Sequence, residues 1–204
     1  MNKGSIVKDT FALTLITLIA GVLLGLVYNI TAEPIAAEQA RSKAEAYKEV
    51  FQEAADFEVV ADTEEAELRE YLNENGHEKT TINEVMNAVD ESGSSLGYAF
   101  TVTNSEGYGG DIQFAMGISS DGTLNGISIL SISETAGLGM KADTDDFKNQ
   151  YKGKNVEKFE VTKSGATEDS QIDAISGATI TSNAMTNGIN AGLCAFQYYE
   201  KGGE

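Results

Sequence analysis

Reactive and metal-binding side chains are scarce in this chain, which has one cysteine and one histidine among 204 residues. Cys194 alone forms no intramolecular disulfide and holds no iron–sulfur cluster, because both need several thiols; we predict that it is a core residue. His77 has no other histidine or cysteine near it in the sequence, so metal ligation and triad catalysis have little support. The sequence also lacks a Gly-x-Ser-x-Gly motif, so the hypothesis that the protein is a hydrolase has little support.

Basic residues are also few. The chain has 14 Lys and Arg but 32 Asp and Glu, which gives a formal net charge of −18. Binding to nucleic acid or to anionic lipid headgroups requires a basic surface, so both are disfavoured. No Gly-x-Gly-x-x-Gly follows a predicted strand, and direct hydride exchange with NADH is therefore not indicated.

A long apolar run is present near the N-terminus, where residues 11–30 carry no charge. This length is sufficient to cross a membrane. We predict a retained anchor with residues 1–10 in the cytoplasm, because Lys3 and Lys8 precede the run; a cleaved signal peptide is the alternative. Gly21 and Gly25 form a small-x-x-x-small pattern that favours contact with another membrane helix.

Helices and then strands are predicted after the anchor. Residues 35–55, after Pro34, and 63–73 are rich in helix-forming residues, so residues 31–92 are assigned to a helical stalk and an acidic segment. Strands are predicted over 80–89, 97–103, 111–118, 123–132 and 156–162, with a short helix over 143–151. Polar, Gly-containing turns between the first four indicate an antiparallel sheet. The fold class is therefore α+β, with the main domain over 93–204.

The sequence from Asp173 to Ser182 is a Gly- and hydroxyl-rich turn, and a helix is predicted to follow it over residues 183–199. Ser, Thr and Asn at the start of a helix are good caps. The free amides and the helix dipole there also favour a phosphate. Spacing alone favours simple capping, which is the commoner arrangement.

Ser-Gly-Ala-Thr occurs twice, ending at Thr167 and at Thr179. Asp173 stands six residues before Thr179, whereas Val161 stands six residues before Thr167. Acidic residues follow Thr167 directly, and their charges repel a phosphoryl donor. On charge, the Thr179 copy therefore suits a phosphate group better than the Thr167 copy, so we treat Thr167 as a decoy and Thr181 as the fallback.

Asp-x-x-Ser-Gly-Ala-Thr resembles the flavinylation motif of bacterial FMN-binding domains, in which the FMN phosphate is esterified to the threonine. Such domains occur in the G subunit of the Rnf ferredoxin:NAD oxidoreductase and in the C subunit of the sodium-pumping NADH:quinone reductase. A second segment, residues 133–140, is similar to the family's Glu-Thr-Pro-Gly-Leu-Gly, although Ala136 replaces the usual proline. A histidine often precedes this segment in the family, where Ser131 or Ser133 stands here.

The resemblance implies a covalent FMN on Thr179, with the attachment loop shaped by a first group of residues and the flavin held by a second. The attachment group is Asp173, Ser176, Gly177, Ala178 and Thr181. The flavin-holding group is Glu134, Thr135, Gly137, Leu138 and Gly139. Gly137 and Gly139 allow the backbone to approach a flat ligand closely.

The implied function is electron relay in an Rnf-type membrane complex that couples electron transfer between ferredoxin and NAD to sodium ion or proton translocation. The implied partners are the other subunits, the lipid bilayer around residues 11–30 and a flavin transferase, and the main domain is expected outside the cytoplasm. Two alternatives stay open. One is the C subunit of the quinone reductase, and the other is a membrane-anchored acidic binding module without a cofactor.

Overall fold

The computed structural model describes residues 3–61 and 66–202, and the side chains of residues 8–61 and 66–202. It separates into two compact units, residues 1–42 and 43–204. The elements are α1 (Lys3–Val50), β1 (Asp56–Ala61), α2 (Ala66–Glu74), β2 (Thr80–Val89), β3 (Ser95–Asn104), β4 (Ile112–Ser119), β5 (Leu124–Ser131), a 3-10 turn (Gly139–Asp143), α3 (Asp145–Lys148), β6 (Glu160–Thr162), β7 (Gln171–Asp173) and α4 (Thr179–Glu200). The predicted α+β class with an N-terminal apolar helix is confirmed.

The first unit consists of the N-terminal part of α1. The apolar side chains of residues 11–30 are exposed, and within the described residues this is the one helix long and apolar enough to cross a membrane. Thr14, Thr17 and Thr31 donate hydroxyl hydrogen bonds to carbonyl oxygens one turn earlier. These bonds satisfy the hydroxyls within the helix itself.

A five-stranded antiparallel sheet in the order β1-β2-β3-β4-β5 forms the centre of the second unit. Side chains alternate between its two faces. On one face large residues of β3 and β4, such as Phe100, Val102, Phe114 and Met116, belong to the main core with α4. On the other face Ala99 and Ala115 are small.

The small residues of that second face allow the end of α1 to pack closely against the sheet. Ala46, Tyr47 and Val50 form a separate cluster with Ala99 and Ala115. Polar contacts join the same surfaces: the Tyr47 hydroxyl bonds to Glu84 and lies 2.6 Å from Thr101 Oγ1, and Lys43 Nζ lies 2.8 Å from Glu84 Oε2. Burial and the neighbouring Glu84 raise the pKa of Tyr47 above its ordinary value, so this hydroxyl stays protonated.

Several predicted elements differ from those observed. The helix predicted over 35–55 ends at Val50, and β1 follows it, so the segment assigned to a stalk contributes two strands to the sheet. The sheet therefore continues across the expected boundary at residue 93, because β2 and β3 form one hairpin. Residues 63–65 of the predicted acidic helix lie outside the described residues; its described part is α2.

Two shorter elements are smaller than predicted. The helix predicted over 143–151 is a 3-10 turn followed by the single turn α3. The strand predicted over 156–162 is reduced to β6, which pairs in parallel with the unpredicted β7. The backbone of Phe159, just before β6, is instead bonded on both sides by the Asn190 amide of α4, at 2.8 and 2.9 Å.

We predict that Gly117→Ala destabilises the second unit. A Cβ at Gly117 would stand 2.9 Å from the Val50 carbonyl oxygen and from the Phe51 ring. Such overpacking costs about 1–3 kcal/mol, measured as the loss in free energy of unfolding by denaturant titration of the full chain in detergent.

Gly126 supplies a matched control, because it pairs with Gly117 across β4 and β5 and a Cβ there would meet nothing within 4 Å. Gly126→Ala should leave stability unchanged or raise it slightly. Equal effects of the two substitutions would contradict the packing of the end of α1 on this face.

Candidate functional site

The turn before α4 is closed by hydrogen bonds that involve the first turn of the helix. Gly177 has a positive φ of 79°, and Ala178 N–H donates to Ile175 O at 2.9 Å. The buried Ser182 hydroxyl accepts from Ile175 N–H at 2.9 Å and donates to Ala178 O at 3.0 Å. Ser182 therefore holds both ends of this loop.

α4 begins at Thr179, four residues earlier than the predicted start at residue 183. The helix cap is Ala178, and no side chain caps the first turn in the described structure, contrary to the expectation of Ser, Thr or Asn. The first hydrogen bond within the helix runs from Ser182 N–H to Ala178 O. The backbone amides of residues 179–181 come before this bond and therefore have no acceptor within the helix. The arrangement leaves donors available at the positive end of the helix dipole.

The loop after β5 folds back on itself at Thr135. Thr135 O accepts from Leu138 N–H at 3.1 Å and from Met140 N–H at 3.2 Å, and Gly137 adopts a positive φ of 77°. The Glu134 side chain is buried, and its Oε1 accepts from Gly109 N–H at 3.3 Å. This hydrogen bond connects the loop to the Gly-rich turn before β4.

The two loops approach each other closely because glycine stands at the points of contact. A Cβ at Gly139 would lie 2.5 Å from Glu134 Oε2 and 2.8 Å from Thr181 Oγ1, and a Cβ at Gly177 would lie 3.1 Å from Leu138 Cδ2. A cleft of about 410 Å³ lies between the loops. Its lining residues are Tyr108, Glu134, Thr135, Leu138, Gly139, Gly177, Ala178, Thr179, Ile180 and Thr181.

Most residues singled out in the sequence are brought together here, although they come from segments about 40 residues apart. Eight line the cleft: Glu134, Thr135, Leu138, Gly139, Gly177, Ala178, Thr179 and Thr181. Gly137, Ser176 and Asp173 are not among the lining residues. Gly137 and Ser176 belong to the same two loops, whereas Asp173 ends β7 and bonds elsewhere.

The three candidate threonines have different surroundings. Thr179 lines the cleft and is half-buried. Thr181 also lines it but is only 1% exposed, which limits access to its hydroxyl. Thr167 is exposed and outside the cleft, and its hydroxyl and its N–H both donate to Gln171 Oε1, at 3.1 and 2.9 Å.

Two lining residues had no role in the sequence interpretation. Tyr108 is 72% exposed and Ile180 is 54% exposed; with Leu138, 43% exposed, they give the cleft an apolar rim. Apolar residues on a surface indicate a binding function when they cluster. Their exposure appears only in the fold, because neither residue has a spacing that marks it in the sequence.

Two family models match the chain. Residues 107–193 match the FMN-binding domain, and residues 1–50 match the RnfG N-terminal region. The first match spans every residue that lines the cleft, and the second ends with α1.

Curated relatives match over nearly the whole length. The G subunit of the Na(+)-translocating ferredoxin:NAD(+) oxidoreductase complex of Acetobacterium woodii is 33% identical over 191 residues, covering 93% of this chain and 90% of that protein. The G subunit of the ion-translocating oxidoreductase complex of Methanosarcina acetivorans is 34% identical over 193 residues, with 94% and 95% covered. Among solved structures, NqrC of Shewanella oneidensis aligns with a TM-score of 0.50 at 20% identity over 60% of each chain, which shows a shared fold.

We predict that Ser182→Ala loosens the loop before α4. The substitution leaves the Ile175 amide without its acceptor in a buried position, which costs about 1–3 kcal/mol. Hydrogen exchange of the Ile175 amide should accelerate, and the free energy of unfolding should fall.

Asn183→Ala is the control, since Asn183 is the next residue in the helix and is exposed. It should change neither quantity appreciably. Unaltered exchange at Ile175 in the Ser182 variant would contradict the role given to this hydroxyl.

Proposed function

The chain belongs to the G-subunit family of Rnf-type ion-translocating oxidoreductase complexes, and on that premise we propose that it relays electrons through FMN bound covalently to Thr179. In this proposal the whole complex couples electron transfer from ferredoxin to NAD to the movement of sodium ions or protons. The observation that carries the proposal is the cleft in which Thr179, at the start of α4, faces the 134–139 loop.

The residues of the cleft suit a flavin phosphate and ring. Amides without an intrahelical acceptor and the positive end of the α4 dipole favour an anion beside Thr179. Gly139 lets the Glu134 and Thr181 side chains lie directly against its backbone, which brings the two loops together beside the cleft. Tyr108, Leu138 and Ile180 offer apolar surface for a flat aromatic group.

Attachment at Thr179 requires an activated donor, because an alcohol does not condense with a phosphate monoester on its own in water. We propose a flavin dinucleotide as that donor and a flavin transferase as the catalyst. Thr179 Oγ1 forms a bond to the flavin-side phosphorus and loses its proton, the P–O–P bond breaks, and a nucleoside monophosphate leaves. The product retains one phosphate charge at the helix start.

Once attached, FMN supplies the redox chemistry, and the chain supplies its position and surroundings. Ser182 fixes the loop that carries Thr179, and Glu134 fixes the opposite loop through Gly109 N–H. No independent NAD site is assigned to this chain, so it serves as a redox subunit whose electrons come from and go to other subunits. A covalent link retains the cofactor where free FMN would be lost by diffusion.

We further propose that residues 11–30 span the membrane, with residues 1–10 in the cytoplasm and the second unit outside it. The exposed apolar side chains of this segment support insertion. Retention rather than cleavage is supported by the length of the uncharged run over residues 11–30, which exceeds the usual apolar core of a signal peptide. The alternative of a quinone reductase C subunit rests on a shared fold alone, whereas the named G subunits match over nine-tenths of the chain or more.

We predict that Thr179→Ala abolishes covalent flavin. Protein purified from its native membrane should carry a mass increment equal to FMN minus water, and the denatured band should fluoresce under ultraviolet light. Both signals should vanish in the Thr179 variant, because Thr181, the other hydroxyl that lines the cleft, is buried.

Thr167→Ala and Thr181→Ala are the controls, the first for the repeated motif and the second for the buried hydroxyl in the same cleft. Thr167→Ala should retain the full adduct. Loss of the adduct only in the Thr181 variant would move the site to Thr181, and a native protein without any adduct would refute the flavin relay in favour of an anchored binding module.

A further inference from the structure

One side of α4 carries three buried polar residues. They are Ser182, Thr186 and Asn190, which are 0%, 2% and 5% exposed. Residues four apart lie on the same side of a helix, so these side chains form a polar stripe along it. Gly188 and Gly192, which contact the sheet, are each rotated by about 200° from Asn190 around the helix axis. The polar stripe therefore faces away from the sheet.

The middle residue of the polar stripe, Thr186, connects the helix to Tyr151. Its hydroxyl donates to Ser182 O, one turn earlier, at 2.9 Å. Because a hydroxyl has one proton to donate, the Tyr151 hydroxyl is the donor in its 2.8 Å bond to Thr186 Oγ1. Burial raises the pKa of Tyr151 above its ordinary value, so this hydroxyl stays protonated. Tyr151 is fully buried, and its ring packs edge-on against that of Phe159.

The other two residues of the polar stripe bond to backbone groups. Asn190 Nδ2 donates to Phe159 O at 2.9 Å, and its Oδ1 accepts from Phe159 N–H at 2.8 Å. Ser182 Oγ accepts from Ile175 N–H at 2.9 Å. Among the described residues no buried side-chain nitrogen or oxygen lacks a partner. A fully satisfied network of directional bonds favours one arrangement, so the polar stripe fixes how α4 lies against its partners.

The partners all belong to residues 151–175, a segment with little regular structure. It contains β6 and β7, three residues each, which pair with each other in a separate two-stranded sheet. Near its start, Gly153 and Lys154 are bonded to Leu124 of the main sheet. Its end leads directly into the loop that carries Thr179. The polar stripe thus holds this segment at its start, in its middle and at its end.

We propose that Thr186 and Asn190 are positioning residues for the flavin attachment loop. They lie about 10 and 16 Å from Thr179 along the helix, and neither lines the cleft. By fixing the 151–175 segment on α4, they join the beginning of the loop to its end in one rigid unit. The effect on flavin attachment rests on the function proposed above, whereas the coupling of the segment to the helix does not.

Amide hydrogen exchange of the full chain in detergent, produced without flavin, tests the coupling. Asn190→Leu removes both bonds to Phe159 but leaves Ser182 as the acceptor for the Ile175 amide. We expect faster exchange at Phe159 and also, by about tenfold, at Ile175, because the segment loosens as a unit. Faster exchange at Phe159 alone would show that the Asn190 bonds act only locally and would overturn the proposal.

The rate of covalent attachment tests the positioning. Thr186→Val keeps the shape of the side chain but removes its hydroxyl, whereas Thr186→Ser keeps the hydroxyl. Each full chain in detergent is incubated with a flavin transferase and flavin dinucleotide, and the initial rate per folded chain is followed by in-gel fluorescence and intact mass.

We expect Thr186→Val to slow attachment by about tenfold or more, as loss of alignment does, and Thr186→Ser to stay close to wild type. A wild-type rate in Thr186→Val would overturn the proposal. A rate in Thr186→Ser as low as in Thr186→Val would overturn it as well, because the hydroxyl would then not be the group that matters.

Gly117→Ala is the control for stability, because its clash lies on the sheet face that α4 does not contact and every bond of the polar stripe remains. Its attachment rate per folded chain should equal that of wild type, although its free energy of unfolding falls. A loss of rate equal to that of Thr186→Val would assign the effect to stability in general and overturn the proposal.

Two further outcomes are distinguishable. Should Asn190→Leu not fold, as judged by circular dichroism, exchange at Ile175 in Thr186→Val decides the coupling, and unchanged exchange there overturns it. A wild-type chain that accepts no flavin would refute the flavin relay and the effect on attachment together. Faster exchange at Ile175 in Asn190→Leu would then leave the polar stripe as a structural clamp only.

Discussion

The site depends on the packing of α4 against the sheet face that carries Phe114 and Met116. Thr179 is the first residue of this helix, so the position of its hydroxyl follows from a helix axis that the core determines. Gly188 and Gly192 bring the helix close to β4, because a Cβ at these positions would lie 3.0 Å from the Phe114 ring and 2.2 Å from Met116 Sδ. Thr179 is therefore positioned by contacts along the whole helix together with the Ser182 hydrogen bonds of its own loop.

The second loop is brought to the same place by the sheet. β4 and β5 are paired along their length, and the 134–139 loop leaves the end of β5 beside the turn that precedes β4, where Glu134 accepts the Gly109 amide. Gly139 and Gly177 then let this loop contact the start of α4. The cleft results from two elements that the core positions independently, with small residues where they meet.

Local patterns in the sequence were sufficient for much of this arrangement. β2 has the predicted bounds, since its β-branched residues and its Gly-containing turns report strand structure directly. β7 was missed because three residues show no period. The hydrogen bond that Asp173 Oδ1, at the end of β7, accepts from Ala166 N–H also has no signal in the sequence. Tyr108 and Ile180 were missed because exposure on a cleft rim is a property of the fold.

The most direct test of a flavin phosphoester on Thr179 is tandem mass spectrometry of peptides from the wild-type protein, purified from its native membrane. Fragment ions that place the flavin phosphate between Ala178 and Ile180 are the predicted result. Localisation to the Thr167 copy, or a 171–200 peptide found only at its unmodified mass, would contradict the account of this chain as a covalent flavin relay.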